Sequence, residues 1–158
     1  TNQLIDLFRV SGCPVIWVQQ LLSPDLSDAP LLFRDRGRSV VIDGTSGAEI
    51  HSDLARSADD TVVIKKRFSA FFGTDLEQIL RDLAPERVTL AGVDTHACVR
   101  ATAIDAYQRD IRVLLASDCL ASHDPEHGQI SMAYMVRTIA PAMTNEQIAK
   151  CMGSLIQP

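Results

Sequence analysis

Apolar positions recur along this chain in two alternating rhythms. Leu4, Leu7 and Phe8 share one face at helical spacing with Ser11, and Gly12 is placed to end that helix. Pro14 then leads into Val15-Ile16-Trp17-Val18, a β-branched and aromatic run that reads as a buried strand. Thr61–Lys65 reads as the next strand. Leu76, Ile79, Leu80 and Leu83 form a second helical stripe, opened by a Thr74/Glu77 capping box and closed by Pro85. Val88–Val93 reads as a strand, Thr95–Arg109 as a helix and Ile111–Ser117 as a strand. Asp124 as N-cap and Pro125 at the first position open a helix running to about Arg137. Thr138–Met143 fits a last edge strand, and Thr144 with Gln147 caps a terminal helix. Residues 21–59 break the rhythm with Pro24, Pro30, Gly37, Gly44, Gly47 and many charges. They read as a long excursion with one short helix near Gly47–Arg56, and loops of that length often carry function.

Continuous apolar strands alternating with helices of about 10–15 residues predict an α/β fold, a parallel sheet covered on both faces. Ligands of such sheets bind beyond the carboxyl ends of the strands, where Lys65 and Cys98 lie. The 158 residues are enough for one domain with a real core, and no repeat or boundary divides 1–158. Hydrophobic residues make up 46% and charged residues 22%, ordinary for a globular protein. The net charge of -5 and the absence of a basic stretch argue against nucleic acid as a partner. No apolar run approaches the ~20 residues of a membrane span, and no signal peptide is visible at the start. Cys13, Cys98, Cys119 and Cys151 are far apart, with no C-x-x-C pair. That argues for a reducing cytoplasm rather than a zinc ribbon or a disulfide scaffold.

The most informative stretch is Val88 to Thr102, VTLAGVDTHACVRAT. Its strand gives way to a helix after Gly92, and Cys98 falls in the first helical turn. There a thiolate meets unpaired N–H groups and the positive end of the helix dipole, which suits a nucleophile. A small buried hydrophobe is the competing role for such a cysteine. Thr95 is placed to cap the helix or to line a pocket, and His96 lies at a pocket or on the surface. Phe71 and Phe72 suit a pocket wall or the core, and Trp17 suits the core. His123 and His127 are four apart, but Pro125 between them starts the helix, so the two do not share a face. No metal and no cofactor are expected.

Three segments together resemble the isochorismatase-like cysteine hydrolases: KKRFSAFFGTDL at 65–76, AGVDTHACVRATAIDAY at 91–107 and VLLASDCLAS at 113–122. The resemblance covers about residues 1–150, and the T-H-A-C-V-R-A-T-A form is most similar to the N-carbamoylsarcosine amidohydrolase-like branch. It implies a three-layer α/β/α fold with a mostly parallel Rossmann-like sheet. It also implies cofactor-free hydrolysis of a small-molecule amide or carbamoyl bond through a thioester. The nucleophile falls on Cys98 and the catalytic lysine on Lys65, with Lys66 and Arg67 facing solvent. Backbone N–H groups of Asp94 and Cys98 form the implied oxyanion hole, with a cis peptide at Val93–Asp94. Phe71, Thr95 and His96 are the candidates for the substrate pocket. A homo-oligomer, dimer or tetramer, is expected. Residues 21–59 hold only His51 and no D-x-H element, unlike the metal-binding nicotinamidases.

The chain departs from the family pattern at one place. The family's first strand, which ends in a catalytic Asp, is absent, and Thr1 falls inside what corresponds to the first helix. Asp6 is on that helix and is no substitute. Without a central strand, two strand edges are left open. We therefore expect a further N-terminal segment before Thr1. The alternative is a catalytically silent domain that binds a ligand or forms an oligomer.

Overall fold

The structure is a computed structural model and describes residues 1–156. Helix α1 (Asn2–Val10) buries Leu4 and Ile5, and Gly12 follows it at φ 71°, a conformation glycine takes without strain. Strand β1 (Ile16–Gln20) pairs in parallel with β2 (Thr61–Lys65), Trp17 opposite Val62 and Gln20 opposite Lys65. Between them the excursion forms one short helix, α2 (Leu31–Asp35) after Pro30, and a single 3-10 turn at Ser46–Ala48. The helix expected near Gly47–Arg56 is therefore replaced by an earlier one, started by the fixed φ of Pro30.

Helix α3 (Leu76–Leu83) buries Leu76 and Leu80. The expected Thr74/Glu77 capping box does not form. Thr74 Oγ1 donates to Ala70 O instead, and Glu77 pairs with Arg109 at 2.8 Å and Arg81 at 3.1 Å. Strand β3 (Val88–Val93) leads through a π-helical turn (Thr95–Val99) into α4 (Arg100–Tyr107), so the expected single helix has two parts. Strand β4 runs further than expected, Val113–Ala121, and pairs with β3 on one side and the short β5 (Ala142–Met143) on the other, both in parallel. Helix α5 (Pro125–Thr138) takes up the start of the expected edge strand. The box capping α6 (Asn145–Ile156) is reciprocal: Thr144 N–H donates to Gln147 Oε1 and Gln147 N–H to Thr144 Oγ1.

Strand β4 shows why the order of layers follows from the sequence. Val113 and Leu115 pack into a core with Leu80, Val99, Ala103 and Met135, from α3, the π-turn, α4 and α5. Leu114, Ala116 and Cys119 face the other way, onto Leu4 of α1 and Ile148 of α6. A strand buried on both faces must be apolar at successive positions. The five strands form two ladders, β1–β2 and β3–β4–β5, with no pairing between them among the described residues. Apolar strand residues are correspondingly exposed: Val18 at 41% and Val93 at 68%. Among the described residues no helix is long and apolar enough to cross a membrane.

Candidate active site

The site forms where β2 and β3 end. Lys65, the last residue of β2, is buried, and its ammonium has three N–H groups to satisfy. Nζ donates to Arg67 O at 2.8 Å, Phe68 O at 2.9 Å and Cys98 Sγ at 3.1 Å. Two of these acceptors are neutral carbonyls. Among the described residues no carboxylate bonds Lys65 or Cys98. The cysteine sulfur is thus the one contacting group that can carry a negative charge against this buried cation, whose isolation would otherwise be costly.

Cys98 is the fourth residue of the π-turn, a helix irregularity frequent at functional sites. Its own backbone is held by Thr102. The Thr102 hydroxyl donates to Cys98 O at 2.7 Å and accepts from Ala70 N–H at 3.0 Å. This buried side chain joins the loop after Lys65 to the cysteine turn, and sequence reasoning did not single it out. The i to i+4 spacing of Cys98 and Thr102 was the available signal, because a helical Thr often bonds the carbonyl four residues back.

The turn itself is shaped upstream. Pairing between β3 and β4 shifts register between Leu90 and Gly92, and Gly92 sits at φ 121°, where a side chain would be strained. The Val93–Asp94 peptide is cis. Asp94 O accepts from Ala97 N–H and Val99 N–H, whereas Asp94 N–H meets no backbone carbonyl among the described residues. Thr95 is buried and does not cap the helix. Its Oγ1 reaches across to Ala121 O at 3.0 Å, because β4 passes alongside.

The remaining candidates separate. Phe71 is 6% exposed in the main core, with the Arg109 guanidinium over its ring, so its side chain packs inward. Phe72 is exposed instead. Trp17 is half-buried and donates Nε1–H to Asp60 at 2.8 Å. Burial pushes the Asp60 carboxyl up, but hydrogen bonds from Trp17, Ser57 and Arg9 outweigh it and hold it below its ordinary value. Lys66 does not simply face solvent. It pairs with Asp28 at 2.7 Å and, with the Ser23 N–H, holds that carboxyl down to about 2. Arg67 Nη1 donates to Asp28 O, so the excursion is pinned to the end of β2. His96 places both its backbone N–H and Nδ1 on Ser122 Oγ, at 3.3 and 3.0 Å. His123 Nδ1 lies 2.8 Å from Asp94 Oδ2.

The isochorismatase domain family model matches residues 1–147. The chain belongs to the isochorismatase family. Among solved structures of similar fold, N-carbamoylsarcosine amidase from Thermoplasma acidophilum is 33% identical, with TM-score 0.78 over 91% of this chain and 79% of that one. An isochorismatase family protein from Desulfovibrio vulgaris is 27% identical, with TM-score 0.86 over 95% of this chain and 80% of its own. Among curated relatives, a probable inactive nicotinamidase of Arabidopsis thaliana is 35% identical over 130 residues, 78% of this chain and 66% of its length. Enterobactin synthase component B of Escherichia coli K12 is 36% identical over 94 residues, 59% of this chain and 33% of its length. The matches span just under two thirds of the first of these relatives and a third of the second.

Proposed function

We propose that this isochorismatase-family protein hydrolyses a C–N bond of a small amide or carbamoyl compound, with Cys98 as nucleophile and no cofactor. The observation that carries the reading is the 3.1 Å contact between the buried Lys65 ammonium and Cys98 Sγ. The thiolate attacks the carbonyl carbon, forming a C–S bond and an oxyanion. N–H groups of Asp94 and Cys98 receive that oxyanion, a donor of this kind being worth about 3 kcal/mol. Collapse breaks the C–N bond as the departing nitrogen takes a proton from a solvent water. Water then cleaves the thioester and restores the thiolate. Amidase and nicotinamidase activities in the names of similar structures support the reaction class. Large exposed apolar side chains, Val10 and Phe72 among them, support a homo-oligomer, and the free thiols of Cys13, Cys98 and Cys119 fit a cytoplasmic setting.

The test is ammonia or amine release from a panel of small amides and carbamoyl compounds, for the wild type and Cys98→Ser. Release that disappears in Cys98→Ser supports the proposal, and release that persists refutes it. One observation favours a second reading, a ligand-binding domain without turnover. Proton transfer to the leaving group needs a partner, and among the described residues no carboxylate bonds Cys98 or Lys65. No release from any compound, with one of them raising the melting temperature, is the outcome that reading predicts.

A further inference from the structure

Three of the chain's four histidines converge where β3 and β4 end. The His96 and His123 ring centroids are 4.9 Å apart, and His127 lies 6.1 Å from His96. Each ring has Nδ1 against an oxygen: His96 on Ser122 Oγ at 3.0 Å, His123 on Asp94 Oδ2 at 2.8 Å, His127 on Asp124 Oδ2 at 2.8 Å. A neutral imidazole that donates from Nδ1 keeps its lone pair on Nε2. On His96 the Ser122 oxygen is also the support on the second nitrogen that metal-bound histidines generally have. One donor atom each from Asp94, His96 and His123 already lies within 4.8 Å of the others. The hydrolytic reading does not use these three side chains as a group. Sequence spacing did not assemble them either, because His96 and Asp94 come from a different strand end than His123.

We propose that Asp94, His96 and His123 bind a divalent transition metal of the zinc type, clipping the turn after β3 to the segment after β4. Two imidazole nitrogens and one carboxylate oxygen suit zinc rather than magnesium or calcium, which take oxygen ligands. Tetrahedral bonds of about 2.0–2.2 Å put donors roughly 3.4 Å apart. The present spread closes by rotation of His123, whose side chain is 75% exposed and which exchanges its hydrogen bond to Asp94 for a shared metal. Water or His127 is available for the fourth position. The inference rests on this geometry and not on the hydrolase reading.

The test titrates Zn2+ into the protein against a chromophoric chelator and follows thermal melting with and without the metal. The expected result is one equivalent per chain, bound at micromolar concentration or tighter, with a raised melting temperature. His96→Ala and His123→Ala each weaken binding at least tenfold and abolish the thermal shift. His51→Ala, whose side chain is 72% exposed and outside the cluster, and Cys98→Ser leave both intact. Asp94→Asn, which keeps the shape of the side chain, weakens binding even if a histidine variant misfolds. No stoichiometric binding overturns the proposal. So does binding that survives His123→Ala in a folded protein, or binding that is lost in Cys98→Ser.

Discussion

Replacing Thr102 by Val removes one hydroxyl and keeps the shape. That hydroxyl is the joint between the loop after Lys65 and the Cys98 turn, accepting from Ala70 N–H and donating to Cys98 O. Ala70 is 2% exposed, so its N–H has no water to turn to. An orphaned buried donor costs about 1–3 kcal/mol. Near the middle of that range, about 2 kcal/mol, a protein of this size loses roughly 4–8 °C of melting temperature. Thr102→Ser keeps the hydroxyl and loses one buried methyl, about 0.8 kcal/mol. Melting by circular dichroism should therefore rank wild type above Thr102→Ser above Thr102→Val. The valine variant should also lower Cys98 alkylation relative to Cys13, since the cysteine turn loses its tether. A valine variant as stable as the serine variant would refute the reasoning.

Lys65→Met removes the cation 3.1 Å from Sγ, a contact worth about 5 kcal/mol at an effective dielectric of 20 before the cost of burying the charge is subtracted. Alkylation of Cys98 at neutral pH should fall at least tenfold, read by peptide mass spectrometry. Gly128 packs so close to Ser122 that a Cβ would sit 2.9 Å from Ser122 Cβ. Gly128→Ala should cost about 1–3 kcal/mol in a denaturant melt, through overpacking against the His96 partner. The Asp28 carboxyl is held down to about 2 from 3.8 by Lys66 and Ser23. A lowered native value stabilises the fold above about pH 4, and the gain is lost as pH falls through about 2. Melting temperature against pH should thus drop less steeply in that window for Asp28→Asn than for wild type.

The strands and most helices were legible because each carries its own period. β4 had to be apolar at successive positions to serve two cores, and the α6 cap lies within four residues. What failed locally failed through distant partners. Thr74 and Glu77 have the spacing of a capping box, but Arg109, 32 residues away, takes Glu77. The excursion resisted because its order comes from tertiary pins, Lys66 to Asp28 and Gln19 to Ala48, rather than from periodicity. At the site, Lys65 and Cys98 are 33 residues apart; the parallel-sheet pattern put both at strand ends, and the resemblance to known proteins gave them a shared role. Thr102 offered only its i to i+4 spacing to Cys98, which does not reveal Ala70, and the histidine cluster had no comparable signal, since its meaning lies in which strand ends are neighbours.

The most direct measurement is the rate of iodoacetamide alkylation of each cysteine in the native protein, resolved by peptide mass spectrometry across pH. The account predicts that Cys98 reacts first at neutral pH, well ahead of Cys13, Cys119 and Cys151, and loses that lead in Lys65→Met. If Cys98 reacts no faster than the other three, the buried lysine does not activate it, and Cys98 is not the nucleophile.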